Sequence, residues 1–133
     1  MAATADGASA TMLKTILFVD DDDTIRELGT AILESAGHAV KAARDGREGL
    51  ALIEDDPSID VLLTDIVMPG GIDGWALADK AKRIRPDLKV LYTSGYVPRL
   101  SSNSPGMAHG PLLAKPWRRQ QLLDHLERVS CAG

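Results

Sequence analysis

The stretch Val61-Leu62-Leu63-Thr64-Asp65-Ile66-Val67-Met68-Pro69 decides the fold of this chain. It begins with an apolar run too short for a helix and too uniformly apolar for a strand with one wet face. A strand buried on both faces fits, as in a parallel sheet covered by helices. It ends in a carboxylate followed by Pro69, Gly70 and Gly71, which open a loop. The same signature recurs to either side. Upstream, Thr15-Ile16-Leu17-Phe18-Val19 runs into Asp20, then into helical spacing at Ile25, Leu28, Ile32 and Leu33 from about Thr24. Gly37 is placed to stop that helix. Downstream, a helix from about Trp75 to Ile84 is ended by Pro86, and Val90-Leu91-Tyr92 forms the next strand, closing on Thr93.

The remaining segments complete the alternation. Ala39 to Ala43 reads as a weaker second strand and Arg47 to Glu54 as its following helix. Leu112-Leu113-Ala114 is the fifth strand, ending at Lys115. Pro116 is expected to open a last helix with Trp117, Leu122, Leu123, Leu126 and Val129 on its apolar face. Five strands separated by helical segments predict an α/β fold, a doubly wound parallel sheet. The crossover between the fourth and fifth strands breaks the pattern. Pro98, Pro105, Gly106, Gly110 and Pro111 oppose a helix there, so this fourth helix is expected to be degenerate or disordered. Residues 1–13 read as a disordered leader and 14–130 as one domain.

Composition narrows the function. The 133 residues leave room for one domain, and the net charge of -4 comes with no basic patch, so direct nucleic-acid binding is not expected. The single cysteine, Cys131, allows neither an internal disulfide nor a cysteine metal cluster. His38, His109 and His125 lack metal-ligand spacing. No stretch approaches the ~20 apolar residues of a membrane span, and no secretory signal is visible. No membrane role and a cytoplasmic location are the expectation.

In an open parallel sheet, ligands bind beyond the carboxyl ends of the strands. The residues there are Asp20 and Asp21, Asp65, Thr93 and Lys115. Carboxylate oxygens suit Mg²⁺, which takes one or two of them and keeps several waters. A lysine adds a point charge for phosphate oxygens, and a threonine hydroxyl can donate to the same oxygens. Asp23 is expected to cap the first helix, with Asp22 in solvent.

In this order, Ile16-Leu17-Phe18-Val19-Asp20-Asp21-Asp22, Leu63-Thr64-Asp65-Ile66-Val67-Met68-Pro69, Tyr92-Thr93-Ser94-Gly95-Tyr96 and Lys115-Pro116-Trp117 resemble the response regulator receiver family. The resemblance runs from about Lys14 to Val129. It implies a flavodoxin-like strand order 2-1-3-4-5 and a phosphoacceptor switch of two-component signalling or a phosphorelay. Asp65 resembles the phosphoacceptor, and Thr93 and Lys115 the groups that sense its phosphoryl oxygens. Asp20, Asp21, Asp65 and the backbone carbonyl of Val67 resemble the Mg²⁺ ligands. A sensor histidine kinase or histidine phosphotransfer protein would be the donor, and the output would pass by contact to a protein target. The receiver would assist only its own phosphorylation and dephosphorylation.

Two further expectations follow from the resemblance, and one rival reading stands beside it. The position three before the lysine, often aromatic in receivers, is Leu112 here, so an aromatic-rotamer readout is not expected from it; Tyr96 is the substitute considered. Val67 and Gly95 carry no group to orient a hydrolytic water, so the acyl phosphate should be long-lived. The rival reading is a phosphatase of the haloacid dehalogenase type, since Asp20-Asp21-Asp22-Asp23-Thr24 fits an Asp-x-Asp-x-Thr pattern. That reading lacks a further acidic motif at a strand end after Lys115 and gives Asp65 through Pro69 no role.

Overall fold

The computed structural model describes residues 13–68, 72–94, 112–115 and 117–131. The expectations about the leader, about the crossover that runs through 95–111, and about Gly95, Tyr96, His109 and Pro116 lie outside these residues. The elements are β1 (Thr15–Val19), α1 (Asp23–Ser35), β2 (Ala39–Ala43), α2 (Gly46–Asp55), β3 (Val61–Asp65), α3 (Gly74–Ile84), β4 (Lys89–Ser94), β5 (Leu112–Ala114) and α4 (Arg119–Cys131). The five strands pair in parallel in the order β2-β1-β3-β4-β5.

Each buried strand serves two cores, because successive side chains point to opposite faces. Leu17, Val19, Leu62, Val90 and Tyr92 pack with Ile53 of α2 and with Leu77, Ala78 and Ala81 of α3. Ile16, Phe18, Val61, Leu63, Leu91 and Leu113 pack with Ile32 and Leu33 of α1 and with Leu122, Leu126 and Val129 of α4. This two-sided burial is why β1 and β3 read as continuous apolar runs. Trp75 lies against Tyr92 with ring centroids 4.6 Å apart, and Trp117 against Phe18 at 6.4 Å, so both tryptophans pack into the fold.

The helix starts refine the expectation. The cap of α1 is Asp22, whose carboxylate accepts from the Ile25 N–H at 3.1 Å; Asp23 is the first helical residue. Asp45 and Asp73 cap α2 and α3 in the same way. Gly37, at φ 100°, ends α1 in the left-handed region as expected, its N–H donating to the Glu34 carbonyl. α4 begins at Arg119, later than a helix opened by Pro116 would. Strand β4 extends one residue earlier and two later than its apolar core Val90–Tyr92, to Lys89 and Ser94.

Candidate phosphoacceptor site

The strand order reverses at β1, so the crevice between the carboxyl ends of β1 and β3 is the switch point where this fold binds ligands. The register places the chemistry there. Val19 is opposite Thr64, Asp65 opposite Thr93, and Thr93 opposite Leu113. Asp20, Asp65, Thr93 and Lys115 continue the rows of Phe18, Leu63, Leu91 and Leu113, all on the α1–α4 side of the sheet. Residues from four strands thus meet because each sits two residues beyond an apolar side chain on that face, with Lys115 one step further out than the row of Asp65 and Thr93.

Asp20 is fully buried, Asp65 and Thr93 are buried, and Asp21 is exposed. Carboxylate oxygens of Asp20, Asp21 and Asp65 all lie within 4.8 Å of one another, close enough to share one cation. The Lys115 ammonium donates to Oδ2 of Asp20 at 2.9 Å and to Oδ2 of Asp65 at 3.1 Å. The other oxygen of Asp20 accepts from the Asp22 N–H at 2.9 Å. Arg26, on the first turns of α1, donates to the Asp20 carbonyl at 2.7 Å and fixes the backbone behind it. The Thr93 hydroxyl is buried with no hydrogen-bond partner among the described residues. Such a group is costly unless something polar reaches it.

The electrostatics are those of a buried carboxylate beside an ammonium. Burial pushes the Asp65 carboxyl above its ordinary value; the charge and hydrogen bond of Lys115 oppose this, and Asp20 and Asp21 add to it. Repulsion within the acidic cluster therefore contributes, but burial is the larger cause. For Lys115, burial acts to lower the pKa, yet the hydrogen bond to Asp20 and the charges of Asp65 and Asp20 outweigh it and raise it. The ammonium stays charged across the physiological range.

Asp20, Asp21, Asp65, Val67, Thr93 and Lys115, the acceptor, metal and phosphoryl-binding residues singled out from the sequence, are all among the described residues. Val67 is exposed and follows Ile66, whose N–H donates to the Thr93 carbonyl at 3.1 Å, so the backbone leaving β3 is tied to β4. Two contributors are not evident from the sequence. Arg26 lies six residues beyond Asp20 with no motif marking it. Gly74 lies against the backbone of Asp65 and Ile66. In the rival phosphatase pattern Asp22 would be an acid at the reaction centre; here its carboxylate caps α1.

Residues 16–127 match the response regulator receiver domain family, and the chain belongs to it. It is a phosphoacceptor switch domain of two-component signalling. The response regulator receiver protein CpdR of Brucella abortus is 33% identical over 122 residues, covering 91% of this chain and all of that protein. A response regulator receiver domain protein from Clostridium thermocellum superposes with a TM-score of 0.80 at 29% identity, covering 90% of this chain and 96% of that one. The response regulator protein TrrA of Thermotoga maritima, solved in complex with Mg²⁺-BeF, gives 0.78 at 27% identity, covering 88% and 99%. None of these similarities supports the phosphatase reading. Among the described residues, no helix is long and apolar enough to cross a membrane.

Proposed function

We propose that Asp65 is the phosphoacceptor, that Asp20, Asp21, Asp65 and the Val67 carbonyl hold Mg²⁺, and that Thr93 and Lys115 bind the phosphoryl oxygens. One observation carries this reading: the convergence of three carboxylates, one ammonium and one unsatisfied buried hydroxyl at the β1–β3 switch point. The donor set is all oxygen, as Mg²⁺ requires. When bound, Mg²⁺ supplies charge neutralisation for the phosphoryl group.

The chain's own residues do the rest. A partner histidine kinase or phosphotransfer protein presents phosphohistidine. An Asp65 carboxylate oxygen attacks phosphorus in line; the new O–P bond forms as the P–N bond breaks, and the imidazole leaves with the electron pair and takes up a proton. Lys115 stabilises charge on the transferring oxygens, and the Thr93 hydroxyl donates to one of them. The product carries about two negative charges. Its attraction for Lys115 and Thr93 selects the signalling state, which is passed to a protein target by contact. Residues 14–130 act as one receiver unit in the cytoplasm, assisting only its own phosphorylation and dephosphorylation.

The test is incubation with acetyl phosphate and Mg²⁺, followed by mass spectrometry. Wild type should gain one acid-stable, base-labile phosphoryl group on Asp65, and Asp65→Asn should gain none. Modification at another residue, or equal uptake by Asp65→Asn, overturns the assignment.

A further inference from the structure

The backbone beneath Asp65 is held from two directions. From β4, the Thr93 carbonyl accepts from the Ile66 N–H at 3.1 Å. From α3, the Gly74 N–H donates to the Ile66 carbonyl at 2.7 Å, closing the base of the loop that leaves β3. The α3 contact is so close that it admits no side chain. A Cβ on Gly74 would lie 2.3 Å from the Asp65 carbonyl oxygen and 2.7 Å from the Ile66 Cα. These are backbone atoms at the carboxyl end of β3, which cannot swing aside as a side chain can. The Asp65 oxygen also accepts from the Thr64 hydroxyl at 2.9 Å. A second glycine contact lies on the same loop: a Cβ on Gly46, the first residue of α2, would meet Ile72 Cγ2 at 2.7 Å and Cβ at 2.9 Å.

We propose that Gly74 is a positioning residue for cation binding and phosphoryl transfer, acting through the peptide between Asp65 and Ile66. Resting on the site reading above, the inference adds what sets the site's geometry. The peptide that Gly74 abuts lies between the acceptor carboxylate and the Val67 carbonyl. Relieving the contact takes a shift of about an ångström, a displacement able to cost ~100-fold where reacting groups must be aligned. The absent side chain is therefore a requirement of the site as well as of the fold.

The experiment compares Gly74→Ala with Gly29→Ala. A Cβ on Gly29 also clashes, but with the Phe18 ring at 2.2 Å, on the α1 side of the core. Mg²⁺ affinity is read by calorimetry, well below each variant's melting temperature, alongside the rate of phosphorylation by acetyl phosphate. Gly29→Ala should lose stability yet bind Mg²⁺ within about twofold of wild type; Gly74→Ala should bind at least tenfold more weakly and accept phosphate more slowly. Folded Gly74→Ala with wild-type Mg²⁺ affinity overturns the inference, as does equal weakening in Gly29→Ala. If wild type itself binds no Mg²⁺, the site reading falls instead. Should Gly74→Ala not fold, Gly46→Ala decides: weaker Mg²⁺ binding supports a loop set by glycine contacts, and unchanged binding overturns it.

Discussion

Asp20 and Lys115 form an ion pair 95 residues apart in the chain, at 2.9 Å, with the carboxylate fully buried and the lysine side chain partly exposed. The lysine occupies the same acidic trio that would hold a cation. Replacing it should leave the carboxylates repelling one another, raise the free energy of the metal-free state and so favour metal binding. Lys115→Met should bind Mg²⁺ several-fold to about tenfold more tightly, ~1.4 kcal/mol at the upper end. It should also take up phosphate from acetyl phosphate more slowly. Titration calorimetry on wild type and variant checks the first point; weaker binding by the variant would refute it.

Asp65 should cost the fold stability in return for its function. Its folded pKa is raised, so the ionised carboxylate opposes folding above that value. The cost vanishes as pH falls below the unfolded value of ~3.9. Asp65→Asn should therefore melt higher than wild type at pH 7.5 without Mg²⁺, with the gap closing on acidification. A melting series from pH 8 to 4 reads this directly. An equal or lower melting temperature at pH 7.5 would show that the Lys115 ion pair outweighs burial.

His38 supplies a pH dependence away from the site. It is buried, and its Nδ1 accepts from the Lys14 N–H at 3.1 Å. Burial lowers its pKa, Lys14 lowers it further, and Glu127 of α4 opposes them. The folded state thus favours neutral imidazole. The associated stability is present above the unfolded value of ~6.5 and is lost as pH falls from there toward the folded value. His38→Asn keeps an acceptor without the titration. Between pH 7.5 and 5.5 its melting temperature should fall less than that of wild type, and parallel curves would count against the assignment.

The two aspartates at the start of α1 should separate cleanly. Asp22→Ala removes the cap and should cost about 1 kcal/mol. Asp23→Ala should cost a few tenths, because Asp23 offers only a first-turn charge and an exposed pair with Arg26. Urea denaturation of both variants measures the difference, and a larger loss for Asp23→Ala would reverse the cap assignment.

What the sequence disclosed depended on how local the cause was. The β1 and β3 runs were legible because two-sided burial gives each an unbroken apolar stretch, Ile16 to Val19 and Val61 to Leu63. The acids, threonine and lysine at strand ends were legible because one parallel sheet carries all its carboxyl ends to one side. The Asp22 cap was read one residue late, since four consecutive aspartates give composition no way to choose among them. Arg26 behind Asp20, and Lys115 bridging two carboxylates, are consequences of packing between distant segments. Nothing in the sequence distinguishes Gly74 from its neighbours Gly70 and Gly71; only the path of α3 across the end of β3 gives it a reason to lack a side chain.

The edge position of β5 carries a consequence for the nascent chain. This strand has three residues and, among the described residues, pairs only with β4. A ribosome delivers Asp20, Asp65 and Thr93 well before Lys115, and parallel pairings with long crossovers are slow to close. The growing polypeptide accordingly gathers its negative charges before the fold's own counter-charge exists. On the proposed site reading, competence to receive phosphate is then timed by the docking of the last strand, and a chain interrupted before residue 115 would display an acidic mouth without the ammonium that bridges Asp20 and Asp65.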